Sequence, residues 1–268
     1  MLTALTRAIS PSINRCELSR LPRRPIDLAR AEAQHRSYQA RLRELGVQVI
    51  SLPPEPDLPD SVFVEDAAVV LDEIAVIARM GALSRRPETE SLARALAPFR
   101  PLRSIAAPAA LEGGDVVRVE SSFFAGLSER TNAEGIEQFA GFVEPLGYSV
   151  EAVPVAGCLH LKTACCYLGR ETLLANRAWF DPAPLRRFRI LDVAPEEPWA
   201  ADVLALDGAI LMPAAFPATR RILEREGFQV CALDISELMK AEAGITCMSL
   251  LFETERVPAP FNPGAGSP

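Results

Sequence analysis

A unit of strand, tight turn, strand, helix and strand recurs along this chain about every 50 residues, a period that belongs to repetitive, ring-like or stacked architectures. In one copy Ala67–Leu71 and Ile74–Ala78 flank Asp72-Glu73, followed by a predicted helix near Glu88–Leu96 and a strand near Leu102–Ile105. In the next, Asp115–Val119 and Phe123–Leu127 flank Glu120–Ser122, a helix covers Asn132–Leu146 and stops at Gly147, and a strand follows at Tyr148–Val155. A third has Ala164–Leu168 and Thr172–Ala175 around Gly169-Arg170. A fourth has Val203–Leu206 and Ala209–Met212 around Asp207-Gly208, a strong hairpin signal, then a helix near Ala218–Glu226 and the strand Gln229–Leu233. The fifth is split between the two ends: Ser249–Glu253 supplies a strand, and Asp27 caps a helix to Leu45, with Gly46 and the strand Val47–Leu52 beyond. Pairing the ends within one unit closes a ring and leaves few exposed sheet edges, so the expected class is α/β with radial repetition.

The chain has 268 residues, 49% of them apolar and 24% charged, enough for a sizeable core and far from a disordered composition. No low-complexity linker divides it, and a single domain over 1–268 is expected, with a loop at Pro53–Pro59 and a frayed tail from Pro258 to Pro268. A net charge of −7 without a Lys/Arg cluster argues against nucleic acid as a partner. No stretch is long and apolar enough for a membrane span, and Met1–Ser19 does not read as a signal peptide. The six cysteines form no Cys-x-x-Cys pair and no zinc-ligand spacing, which suits reduced thiols in a cytoplasmic protein and no metal.

Chemistry concentrates in Glu112-Gly113-Gly114-Asp115, His160-Leu161-Lys162-Thr163 and Thr246-Cys247-Met248-Ser249. A carboxylate, an imidazole and a thiol suit covalent catalysis through cysteine. Of the two histidines, His35 sits among polar residues at helical spacing, leaving His160 for acid–base work. A lone cysteine in an apolar run is usually core packing, and a lone histidine is usually structural. The repeat changes that weighting. The acidic cluster Asp60, Glu65, Asp66 precedes the first strand of one unit, and Glu112, His160 and Cys247 hold the same place in three others. Gly81-Ala82-Leu83-Ser84-Arg85-Arg86 and Gly126-Leu127-Ser128-Glu129-Arg130 likewise follow second strands, which places Arg85 and Arg130 at one level of the ring. Residues distant in sequence therefore converge on one pocket.

The stretches Asp60-Ser61-Val62-Phe63-Val64-Glu65-Asp66, Ser84–Glu90, Glu112–Asp115, Ser128–Asn132, Leu159–Thr163 and Thr246–Leu250 resemble, in order, the motifs of the dimethylarginine dimethylaminohydrolase family. The resemblance runs from about Leu18 to Phe252 and implies the five-bladed α/β propeller (pentein) of guanidino-group-modifying enzymes. It also implies hydrolysis of asymmetric dimethylarginine or monomethylarginine to citrulline and a methylated amine, through a covalent cysteine intermediate and without a cofactor. It gives Cys247 as nucleophile, His160 as general acid and base, and Glu112 as the carboxylate that orients the histidine and contacts substrate. Asp66 and Glu65 match guanidinium contacts, Asp60, Arg85, Arg130 and Leu18 match the residues that hold the amino-acid end and line the mouth, and Phe63 matches a pocket wall. The expected partner is a small guanidino substrate, with assembly as a homodimer left open. Arginine deiminases share the catalytic motifs but carry an additional helical domain, amidinotransferases are longer, and a non-catalytic ring would have no reason to retain these side chains.

Overall fold

A computed structural model of the chain describes residues 1–206 and 208–254. The expected frayed tail and Asp207 of the Asp207-Gly208 turn lie outside them. Five three-stranded sheets are present among the described residues, all of one topology: the first strand runs antiparallel to the second, and the second parallel to the third. In chain order they are Ala68–Val70, Ala75–Ile77 and Leu102–Ser104; Val116–Val119, Ser122–Leu127 and Ser149–Pro154; Cys165–Gly169, Thr172–Ala175 and Arg189–Asp192; Leu204–Leu206, Ala209–Pro213 and Gln229–Leu233. The fifth joins the ends, Leu250–Glu253 beside Leu2–Arg7 beside Gln48–Leu52. The fold is the five-bladed α/β propeller.

The helices lie where period and caps place them. Leu28–Glu44 begins at Asp27, whose side chain accepts from the Arg30 amide, and Ala133–Val143 begins at Asn132, which accepts from Gly135. The second of these tightens into a 3-10 turn over Glu144–Leu146, because Pro145 has no amide hydrogen to continue an α-helix. Gly147 then turns the chain with φ of 93°, a conformation that costs other residues a Cβ clash.

Two features depart from the expected pattern. Leu2–Arg7 is the central strand of the closing sheet, a position for which the sequence reading offered only helix and flanking strands. Its Leu-Thr-Ala-Leu-Thr-Arg run shows no alternation because both faces are covered. Its polar side chains are satisfied inside: Thr6 donates to the Ile50 carbonyl and accepts from Gln39, and Arg7 donates to the Pro53 carbonyl and Ser91. In the Cys165–Gly169 sheet no α-helix returns the chain. Asp181-Pro182-Ala183-Pro184 allows only a 3-10 turn at Ala183–Leu185 before the strand Arg189–Asp192.

First strands of neighbouring sheets lie against one another: Leu250–Glu253 on Ala68–Val70, Val116–Val119 on Cys165–Gly169, and Cys165–Gly169 on Leu204–Leu206. All five contribute to the walls of a cavity of about 670 Å³, through Val69, Val117, Tyr167, Leu204 and Leu251 among others. Between the sheets, cores such as Phe139 against Phe123 (rings 5.2 Å apart and at 85°, edge to face) fasten helix to strand. Phe139 is fully buried, so Phe139→Ala should cost about 3–5 kcal/mol of unfolding free energy in a denaturant titration.

Candidate active site

Short turns precede the first strands and meet at the centre of the ring. The 3-10 turn Val64–Ala67 packs against both Gly113–Asp115 and Thr246–Met248, and the helical turn Leu161–Ala164 packs against Gly113–Asp115. Backbones approach closely there, which explains the Glu-Gly-Gly-Asp motif. A Cβ on Gly113 would stand 2.1 Å from the Glu65 carbonyl oxygen, and one on Gly114 would stand 2.6 Å from Asp66 Oδ1 and 2.7 Å from His160 Nδ1. Asp115 anchors the histidine loop by accepting from the Leu161 amide at 2.9 Å and from the Ser128 hydroxyl at 2.6 Å.

His160 is held between two carboxylates. Glu112 Oε2 lies 2.7 Å from Nε2, and Asp66 Oδ1 lies 3.7 Å from Nδ1. Burial works against the imidazolium, but Asp66, the Glu112 hydrogen bond and Asp115 outweigh it and raise the ring to about 9. At neutral pH His160 therefore carries its proton. Burial alone would raise Asp66 and Glu112 as well; His160 and Arg85 hold both below the ordinary carboxylate range. These three side chains bring one ligand atom each within 4.8 Å of one another, with His160 and Glu112 already hydrogen-bonded to each other.

The remaining candidates surround this cluster. Arg85 is enclosed, giving Nη1 to Asp66 at 2.7 Å and its other edge to Glu88 at 3.1 and 2.9 Å. Arg130 donates to the Ser19 hydroxyl at 3.2 Å and stands 3.7 Å from Glu112, with Nη1 making no hydrogen bond. Glu65 accepts from Lys162 and from the Thr246 hydroxyl, both at 2.6 Å, and so ties the cysteine turn to the histidine loop. Glu65, Lys162 and Thr246 also line the central cavity, which Cys247, His160 and Glu112 do not. Asp60 accepts the Glu17 amide, fixing the segment that presents half-buried Leu18, while Phe63 is buried in the core beneath it.

Cys247 is half-buried in the turn Thr246–Met248. The Gly244 amide donates to its sulfur at 3.4 Å. Burial first, then Asp202, Glu65 and Asp66, push the thiol well above its ordinary range. Asp202 was not singled out from sequence, although the signal existed: it stands just before the first strand Leu204–Leu206, at the repeat phase of Asp66, Glu112, His160 and Cys247.

A neutral thiol ringed by carboxylates should discriminate between alkylating agents by charge. At neutral pH a cationic haloacetamidine should modify Cys247 much faster than neutral iodoacetamide, read by mass spectrometry of the labelled peptide; equal rates would contradict this electrostatic picture. Gly114→Ala should displace Asp66 or His160 and lower His160's titration from about 9 towards its ordinary value, followed by imidazole NMR.

Comparisons with known proteins identify the family. The family model for N,N dimethylarginine dimethylhydrolase, eukaryotic, matches residues 14–173. N(G),N(G)-dimethylarginine dimethylaminohydrolase of Pseudomonas aeruginosa is 39% identical over 228 residues, 84% of this chain and 90% of that protein. The Streptomyces coelicolor protein of the same name is 37% identical over 92% of this chain and 95% of its own length. A solved structure of the Pseudomonas aeruginosa enzyme complexed with citrulline superposes with a TM-score of 0.89 at 35% identity, covering 93% of this chain and 98% of that one. The N-terminal domain of ArgZ, an arginine dihydrolase, shares the fold with a TM-score of 0.82 at 19% identity, over 94% of this chain and 98% of that one. On identity and coverage together, the chain belongs to the dimethylarginine dimethylaminohydrolase family.

Proposed function

We propose that this chain hydrolyses Nω-methylated arginines to citrulline and the methylated amine, with Cys247 as nucleophile. One observation carries the reading. Asp66 Oδ1 and Arg130 Nη1 are both buried and make no hydrogen bond among the described residues, each having an ion-pair partner at 3.7 Å, His160 Nδ1 and Glu112 Oε1, that is too far to donate or accept. An orphaned carboxylate oxygen calls for a cationic donor and an orphaned guanidinium nitrogen for an acceptor. A zwitterionic guanidino amino acid supplies both. Asp60 and Leu18 are assigned to the amino-acid end with Arg130, and Glu65 and Phe63 to the pocket around the guanidinium; Arg85, expected at the amino-acid end, has its donors engaged by Asp66 and Glu88 and is assigned instead to holding Asp66 in place.

The chemistry follows from the charges. A guanidinium carbon is a poor electrophile because its charge is delocalised, so carboxylates must hold the planar cation and align it. The bound cation lowers the Cys247 thiol, and the thiolate attacks the carbon to give a tetrahedral adduct. His160, already protonated, gives its proton to the departing methylamine. The resulting thiouronium is attacked by a water that the now-neutral His160 deprotonates. Collapse of that adduct expels the Cys247 sulfur and leaves citrulline. No metal or organic cofactor is assigned.

The whole chain is taken as one catalytic domain. No helix among the described residues is long and apolar enough to cross a membrane, and the six cysteines are unpaired, which supports a reducing, cytoplasmic setting. A homodimer would be read directly by sedimentation.

Cys247→Ser should bind substrate and abolish citrulline formation; turnover near the parent rate would refute the nucleophile. His160→Gly should lower the rate by roughly two to four orders of magnitude, while His35→Ala leaves it unchanged. Because His160 must enter as the acid, turnover should fall as pH rises through about 9. Methyl groups sheltered by Leu18 and Phe63 are worth about 1–2 kcal/mol, or roughly ten- to thirtyfold, in kcat/KM over arginine. Side-by-side kinetics on arginine, monomethylarginine and dimethylarginine decide this: arginine as the better substrate would make the chain a short deiminase.

A further inference from the structure

Removal of the proton from Cys247 has no obvious agent in the mechanism above. His160 already carries a proton, with Nε2 committed to Glu112 and Nδ1 facing Asp66. Within reach of the sulfur stands Asp202, 4% exposed and given no proton-transfer role so far. Its Oδ2 is 3.9 Å from Cys247 Sγ, within reach of a sulfur hydrogen bond, and its Oδ1 accepts the Thr246 amide at 3.0 Å. The carboxylate is thus fixed by the backbone of the residue that precedes the nucleophile. Gly244 makes room for it, since a Cβ there would fall 1.9 Å from Asp202 Cγ. A carboxylate packed this closely into the cysteine turn is a built feature of the site.

We propose that Asp202 is the base that takes the thiol proton from Cys247, an assignment that rests on Cys247 being the nucleophile. The S–H bond breaks, its proton passes to Oδ2, and the sulfur's electron pair forms the bond to the guanidinium carbon. His160 separately delivers its own proton to the departing amine. When hydrolysis of the thiouronium expels the thiolate, Asp202 returns the proton to sulfur, the proton left on the citrulline oxygen passes through water to the departed amine, which ends as an ammonium ion, and both residues regain their starting states. The two proton transfers therefore use two different groups, and neither has to serve twice in one step.

The surroundings of Asp202 suit such a base. The ionisable groups that act on it are Glu65, Lys162, Cys166, Tyr38 and Cys247. Burial, then Glu65, push its carboxyl up to about 7, while the Thr246 hydrogen bonds and Lys162 limit the rise. A base titrating near the working pH combines availability with driving force. The same negative charge holds the resting thiol protonated, so the pair stays silent until a cation arrives.

Asp202→Asn tests the assignment, because the amide oxygen can still accept from Thr246 but cannot take a proton. Two rates are followed against pH: citrulline formation, and inactivation by 2-chloroacetamidine, which requires thiol deprotonation but no departing amine. In the parent both should rise through about pH 7. In the variant that limb should vanish, with rates at neutral pH down by about a hundredfold or more and climbing only with hydroxide. Parent-like rates at neutral pH in the variant would overturn the proposal. So would a parent inactivation profile without a limb near 7, a measurement that does not depend on the variant folding. Should Cys247→Ser still make citrulline, the functional reading itself fails; should that variant be inert while Asp202→Asn matches the parent, only the identity of the base falls.

Discussion

Six buried or nearly buried side chains form a line of alternating charge through the middle of the ring: Glu88, Arg85, Asp66, His160, Glu112 and Arg130. Each ion is out of water and so depends on its neighbours for compensation; deleting one strands the next as an uncompensated buried charge, a loss of about 3–5 kcal/mol. The line threads three blades, running from the helix Glu88–Leu96 through the turns at Val64–Ala67 and Gly113–Asp115 to the loop bearing Arg130. It fixes the protonation of His160 and the direction in which Asp66 points. Catalytic geometry and blade registration are therefore the same set of contacts.

Such a line also explains how one site can hold a cation and a reactive sulfur without wasting the latter. Carboxylates sufficient to bind a guanidinium also suppress thiolate in its absence. The sulfur is then kept from adventitious electrophiles and oxidants, which attack thiolate rather than thiol. Substrate binding and nucleophile activation become one electrostatic event.

Most of the architecture was legible because repetition multiplies weak signals. Helix Glu88–Leu96 and strands Thr172–Ala175 and Gln229–Leu233 fall where periodicity and turn residues put them. Leu2–Arg7 was not legible, because a strand covered on both faces loses the alternation that marks strands, and Thr6 is satisfied only by partners 33 and 44 residues away. The return through Ala183–Leu185 was missed because two prolines erased the helix that the repeat demanded. The convergence of Asp66, Glu112, His160 and Cys247 followed from their common phase, and the structure brings their turns together. Asp202 shares that phase and was overlooked for lack of a flanking motif. How far Glu65 and Arg85 are occupied by Lys162, Thr246, Asp66 and Glu88 depends on side-chain directions that spacing does not encode.

The closing sheet pairs Leu2–Arg7 with Leu250–Glu253, the longest sequence separation of any pairing in the fold. Contacts between such distant segments carry the largest loop-closure entropy and form slowly relative to local ones. The turn bearing Cys247 leads directly into that strand. Four blades can acquire their hydrogen bonds while the fifth is still open, yet the sulfur is placed only when the seam joins. Recovery of activity during refolding is accordingly a clock for ring closure, not for the growth of secondary structure.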